Sequence, residues 1–343
     1  MNEQEMKRYN QSDMPFYKNE ISPILPENVL DFHTHVWPKE VWKLTPWEDG
    51  LPGGKYMVTT QDYGIDDLLN DGRRMFPDKK YKAVCFGQPM PSADSKTTND
   101  YTAKAAAYEE LYPLIIAGKD TMDPAELEDA IIKRGFYGYK VFLNWFGNNY
   151  QSVYIEDMIG PAEMKLADKL GLVVLLHVPR SERLADKDVQ SGVERLSKDY
   201  PNASIVLAHC GRCYLPDEAR KAIGSISKFK NVFLDTAMVM DPTVMEIVLD
   251  NIGPERLLFA TDLPIANMRG RRVYVMDHWV DLVLEGYPES EYRIGSNNMH
   301  ATFMVYEIIL AIGRAAQMAG LTKKELEGIY YGNGMALLER VKR

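Results

Sequence analysis

Val29-Leu30-Asp31-Phe32-His33-Thr34-His35 is an apolar run that ends in two histidines at i and i+2. Side chains alternate faces along a β-strand with period 2, so both imidazoles leave it on the same side. Two neutral imidazoles held that way make half of a metal site. The chain has only six histidines, and two of the other four also close strand-like runs: Gly171-Leu172-Val173-Val174-Leu175-Leu176-His177 and Ser204-Ile205-Val206-Leu207-Ala208-His209. Leu257-Leu258-Phe259-Ala260-Thr261-Asp262 repeats the pattern with a carboxylate at its end. Four buried-strand patterns, each closed by a metal-type ligand, are hard to attribute to composition.

Between these runs the hydrophobic period switches regularly between about 2 and 3.6. Helical patterns cover 65–76, 100–111, 124–133, 161–170, 188–197, 216–227 and 242–251, and strand patterns cover 81–86, 112–117, 137–143, 232–235 and 256–261. Asp123 followed by Pro124 is a cap with proline at the first helical position. Eight strands separated by helices imply parallel pairing through right-handed crossovers, closing into a (β/α)8 TIM barrel of the α/β class. In such a barrel the active site lies at the carboxyl ends of the strands. His33, His35, His177, His209 and Asp262 all sit there, on strands 1, 5, 6 and 8, and closure sets strand 8 beside strand 1. Residues 1–28 read as an irregular N-terminal arm, rich in Pro and polar residues, with Ile21, Ile24 and Leu25 against the body; the barrel is expected over 29–343. The long segment 37–61, with Trp37, Trp42, Trp47 and the turn Pro52-Gly53-Gly54, reads equally as a lid or as a packed surface excursion. Three C-terminal helices, 274–284, 302–318 and 322–340, are expected to cover the barrel.

Hydrophobic residues at 45% and charged residues at 26% describe an ordinary globular protein. A net charge of −9 with no basic block argues against nucleic acid as partner. The three cysteines, Cys85, Cys210 and Cys213, allow no disulfide framework, and Cys210-x-x-Cys213 lacks the second pair of a zinc site. Residues 1–20 hold no apolar signal-peptide core, and no run approaches the roughly 20 apolar residues of a membrane span. A cytoplasmic protein without a membrane partner is the expectation. The aromatic content of 37–61 and of the C-terminal segments is compatible with a homodimer.

The motifs Asp31-Phe32-His33-Thr34-His35, His177-Val178-Pro179, Ala208-His209-Cys210-Gly211, Thr261-Asp262-Leu263-Pro264 and Gly332-Asn333-Gly334-Met335-Ala336 resemble the amidohydrolase superfamily, within the branch of aminocarboxymuconate-semialdehyde decarboxylase and related hydrolases and lactonases. The resemblance runs from about residue 29 to 340; Ala260 stands where that family more often has Gly. It implies a divalent metal held by His33, His35, His177 and Asp262, with His209 beside it as a catalytic group. In binuclear members a carboxylated lysine on strand 4 bridges two ions, which marks Lys140 as a possible second-metal bridge. The branch usually keeps one ion, and some of its lactonases use none.

Three imidazoles and a carboxylate suit one zinc, or manganese or another first-row ion, and leave a position for water whose pKa falls toward about 7. Asp262 would accept that water's proton, while His209 polarises a carbonyl or returns a proton to the leaving group. Arg180 and Arg212 follow His177 and His209 within three residues, and guanidinium groups at a pocket mouth bind carboxylates in bidentate fashion, so a small anionic substrate is expected. Asn144 and Trp145, just after strand 4, offer a polar contact and an apolar wall. His300, after the turn Ser296-Asn297-Asn298, is a further substrate-binding candidate. The expectation is a metal-dependent hydrolase of a C–O or C–N bond; a non-oxidative decarboxylase on the same site and a catalytically inactive ligand-binding barrel are the alternatives.

Overall fold

The computed structural model of the chain describes residues 2–43, 60–88, 90–276, 278–284, 293–296 and 300–342. Eight parallel strands follow one another in chain order: β1 (Asn28–His35), β2 (Lys80–Phe86), β3 (Leu111–Pro113 and Ile115–Ile116), β4 (Gly138–Val141), β5 (Val173–Leu176), β6 (Ser204–Leu207), β7 (Val232–Asp235) and β8 (Leu257–Leu258). Leu114 interrupts β3, yet its N–H still donates to Cys85 O of β2 at 2.8 Å. Past the short β8 the backbone stays in register with β1. Phe32 N–H donates to Phe259 O (2.9 Å), Asp262 N–H to His33 O (2.8 Å) and His35 N–H to Leu263 O (2.8 Å). These bonds close a (β/α)8 barrel.

Sequence-local signals set the outer helices. Asp123, Asp186 and Asp241 cap the helices Pro124–Arg134, Lys187–Asp199 and Pro242–Ile252 with their side chains, satisfying N–H groups that have no partner within the helix. Inside the barrel, Leu30, Phe32, Val84, Phe86, Leu114, Ile116, Phe142, Val173, Leu175, Val206, Phe233 and Leu258 fill the interior as a packed core. Leu337 and Leu338, from the helix Asn333–Leu338, join this core as its floor. Gly334 allows that approach, since a Cβ there would lie 2.8 Å from the Leu30 side chain and 2.9 Å from that of Phe32. With the amino end plugged, the carboxyl end is left for chemistry.

One irregularity aims the ligands. Asp31 pairs with Ala83 and Thr34 with Cys85, so Phe32 and His33 together oppose the single residue Val84. This β-bulge lets Phe32 join the interior while His33, its neighbour, also turns inward.

Four sequence expectations need correction. The arm is helical over Glu3–Ile21, with π-type turns at Tyr9–Asp13 and Tyr17–Ile21 that accommodate Pro15. Asp13, Tyr17 and Ile21, four apart, form its buried face, and Ile24 and Leu25 pack on the body as expected. The helix expected over 100–111 begins at Ser95, because Asp94 caps it, and the alanine run Ala103–Ala107 is a 3-10 turn. The segment 274–284 is not a helix. It is an antiparallel pair, β9 (Gly270–Val275) and β10 (His278–Leu284), extended by β11 (Arg293–Ser296). The apolar spacing there also fits alternation, and β-branched and aromatic residues decide the ambiguity toward strand. The last helical segment is divided into Lys323–Glu327, a π turn at Gly328–Gly332 and Asn333–Leu338. Of the 37–61 excursion, residues 44–59, Trp47 among them, lie outside the described residues; Trp37 and Trp42 both donate their indole N–H to Gln61 O. No helix among the described residues is long and apolar enough to cross a membrane.

Candidate metal centre and active site

Three imidazoles at the carboxyl end of the barrel are oriented alike. His33 donates from Nδ1 to Asp235 Oδ2 (2.7 Å), His35 from Nδ1 to Gly87 O (3.1 Å) and His209 from Nδ1 to Ala237 O (2.9 Å). Carbonyl and carboxylate oxygens accept only, so each ring carries its proton on Nδ1 and points a bare Nε2 lone pair inward. His35 Nε2 lies 3.1 Å from Asp262 Oδ1, and His209 Nε2 lies 2.9 Å from His177 Nε2. His177 Nδ1 has no hydrogen-bond partner among the described residues, so that ring can carry its proton on Nε2 and donate it to His209 Nε2. The donor atoms fall into two overlapping sets, His33 with His35 and Asp262, and His33 with His177 and His209, each within 4.8 Å. Nitrogen and carboxylate donors in this number fit a first-row divalent ion.

Burial shapes the electrostatics. Desolvation, and after it the nearby Lys140, hold His33 and His177 well below the ordinary imidazole range, and desolvation takes His209 down to about 4. Burial alone would raise Asp262, but the imidazoles around it, His35 first and then His33 and His209, hold it below the usual carboxylate range. Lys140 points into the barrel from β4, fully buried, with Nζ 3.4 Å from His33 Nε2 and over the rings of Phe86 (5.1 Å) and Phe142 (4.8 Å). Desolvation lowers its ammonium to about 7, against the pull of Asp235 and Asp262.

His209 stands on unusual backbone. His209, Cys210, Gly211 and Arg212 all have positive φ (55°, 51°, 69° and 61°), a full turn of left-handed conformation directly after β6. Such a turn costs an L-residue about 1–2 kcal/mol. Asp235 offsets the cost, accepting from His209 N–H (2.7 Å) and Ala237 N–H (3.1 Å) through Oδ1 while Oδ2 takes the His33 ring proton. Asp235 is not among the sequence candidates, although Val232-Phe233-Leu234-Asp235 is again an apolar strand closed by a metal-type group. Cys210 and Cys213 are buried, and desolvation pushes both thiols up.

The arginines divide. Arg180 turns away to Asp186 and Asp188 (3.4 and 2.7 Å), with its Nε on Val153 O. Arg212 bonds the carbonyls of Val178 and Arg180 and lies over Tyr150, near enough that its charge acts on His177. Arg269 pairs with Asp13, Arg271 with Glu307 and Arg272 with Asp281. Trp145 stands beside Phe142, which meets His177 edge to face, whereas Asn144 approaches Met90 Sδ at 3.8 Å. His300 is exposed. Tyr214, against the His209 ring, and Trp279 of β10, against Tyr214, form a wall that the misread strand pair had hidden.

Residues 30–340 match the family described as amidohydrolase. Comparison with curated proteins gives no match. Among solved structures the chain is similar to an amidohydrolase from Burkholderia multivorans with bound zinc (TM-score 0.59, 14% identity, 91% of this chain and 99% of that one). It is also similar to a 5-carboxyvanillate decarboxylase from Novosphingobium aromaticivorans with bound manganese (0.57, 12%, 91% and 97%). A third is a protein from Pseudomonas putida described as a putative 2-pyrone-4,6-dicarboxylic acid hydrolase (0.53, 16%, 92% and 99%). At these identities the likeness is one of fold.

Proposed function

The chain belongs to the amidohydrolase family, a family of enzymes, and from that premise we propose that it hydrolyses a C–O or C–N bond of a small carboxylated compound at a divalent-metal site. One observation carries the reading: imidazole nitrogens and a carboxylate oxygen converge in two overlapping sets that share His33, each within 4.8 Å, a spacing that a single cation can bridge. His33, His35, His177 and Asp262 would hold the ion, with His209 alongside. Zinc or manganese suits the donor set, and neighbours of the same fold hold one or the other. When bound, such an ion supplies a Lewis acid and acidifies water.

The protein's own groups fit the remaining steps. Asp262, ionised at neutral pH, takes up a proton at its carboxylate. His209 is neutral with its proton on Nδ1, so Nε2 accepts a proton first and returns it to the leaving group afterwards. Arg212, whose hydrogen-bond partners are carbonyls rather than a carboxylate, is the guanidinium we assign to the substrate's acid group. The aromatic wall of Phe86, Phe142 and Trp145 also suits a planar unsaturated acid, which supports non-oxidative decarboxylation as the second reading.

The test is elemental analysis of protein purified without chelator, followed by assay of lactones, amides and unsaturated acids. About one equivalent of metal is expected, and two would bring Lys140 in as a bridge. Arg212→Ala should raise KM at least tenfold for an acid substrate while Arg180→Ala leaves it unchanged, and Asp262→Asn should abolish turnover. Full activity in Asp262→Asn would overturn the reading.

A further inference from the structure

We infer that Asp235 is a positioning residue that fixes the proton of His33 on Nδ1 and, with the same carboxylate, pins the left-handed turn that presents His209. The inference rests on the proposed metal site, and it says what prepares that site before any ion arrives. Asp235 is fully buried, at the carboxyl end of β7. Its Oδ2 lies 2.7 Å from His33 Nδ1, and its Oδ1 accepts from His209 N–H at 2.7 Å and from Ala237 N–H at 3.1 Å. The backbone takes part as well, since Cys210 Sγ donates to Asp235 O at 3.3 Å.

Each contact has a separate consequence. An imidazole ligates through the nitrogen that lacks a proton, and the hydrogen bond made by the other nitrogen selects which one that is. While Asp235 accepts from Nδ1, the His33 Nε2 lone pair faces Asp262 and His177. The second oxygen holds the N–H of the first residue of a turn that three L-residues and one glycine occupy at positive φ. One carboxylate therefore sets a metal-ligand proton and a catalytic side chain together, across 202 residues of sequence in the first case and 26 in the second.

Asp235→Asn separates the two roles. The amide oxygen can keep both backbone N–H partners or the one ring partner, and two hydrogen bonds outweigh one. Its NH2 group then falls where Oδ2 was and donates to His33 Nδ1, which drives the ring proton to Nε2 and blocks the ligating atom. The turn survives.

The experiment is 15N side-chain NMR of the histidines in the metal-free full-length chain, wild type and Asp235→Asn, with zinc affinity measured by chelator competition. The proposal expects a Nδ1–H tautomer for His33 in the wild type, a Nε2–H tautomer in the variant, and zinc binding weakened 10- to 100-fold. A wild-type His33 with its proton on Nε2 overturns the proposal even if the variant does not fold. A variant that keeps Nδ1–H and binds zinc as tightly as wild type overturns it too. If the wild type takes up no zinc while the tautomers change as stated, the metal reading fails and the positioning role stands.

Discussion

Lys140 is the residue whose chemistry and cost are most at odds. Its amine is enclosed between two phenyl rings and an imidazole, and burial lowers it from its ordinary 10.5 to about 7. Because the folded value lies below the unfolded one, the stability it contributes is present above pH 10.5 and lost as pH falls toward 7. At neutral pH the side chain therefore costs the fold, by several kcal/mol at about 1.4 kcal/mol per unit. Lys140→Met is expected to raise the Tm of the metal-free protein at pH 7, with the gain shrinking toward pH 10.5; calorimetry across that range checks it, and a lower Tm at every pH would refute it. At this scale much of the site was legible. His33, His35, His177, His209 and Asp262 each close an apolar strand, and a barrel brings such ends together. Arg180 and Arg212 could not be told apart, because only the path of the following loop sets Asp186 and Asp188 against the first.

Among the elements, the left-handed turn after β6 has the narrowest tolerance. Gly211 sits at φ 69°, and a Cβ there would come within 2.7 Å of Leu184 Cδ2 and 2.9 Å of Leu184 Cβ. Gly211→Ala meets conformational strain and a crowded neighbour at once, so a loss of about 1–3 kcal/mol is expected by urea unfolding, together with reduced turnover because His209 rides on the same turn. Unchanged stability would mean that the turn relaxes freely. Helices with strong caps, such as Pro124–Arg134 and Pro242–Ile252, were legible because capping is local. The β9–β10 pair was not, since a short apolar segment fits either period until its partner strand is known. The N-terminal helix was hidden by Pro15, whose missing N–H a π turn absorbs.

For the molecule as a whole, the seam between β8 and β1 is the critical joint, and Asp31 stitches it. The carboxylate accepts from Thr261 N–H (3.0 Å), Thr261 Oγ1 (2.5 Å), Tyr81 OH (3.1 Å) and His33 N–H (3.3 Å), so it holds three strands at once. Burial raises its pKa to about 7, even though these four donors pull it down. The folded value exceeds the unfolded one, so its contribution is fully present below about pH 3.8 and lost as pH rises through 7. Asn can keep both N–H bonds with its oxygen and face the two hydroxyls with its NH2. Asp31→Asn is therefore expected to gain on wild type as pH rises from 4 to 8, measured by urea unfolding at both ends; a constant difference would sink the assignment. The barrel itself was legible from strand spacing, whereas the bulge that turns His33 inward was not, because it depends on register against β2.

That closing seam also sets a clock. His35 and Asp262 are 227 residues apart in the chain, and ribosomes add about 5–20 residues each second. A nascent chain thus carries its histidine pair for roughly 10–50 seconds before the carboxylate that completes the site has been made, and the floor residues Leu337 and Leu338 come later still. If the site holds a metal as proposed, the full donor set exists only once Asp262 has been made, and an ion caught earlier would be held by histidines without the carboxylate.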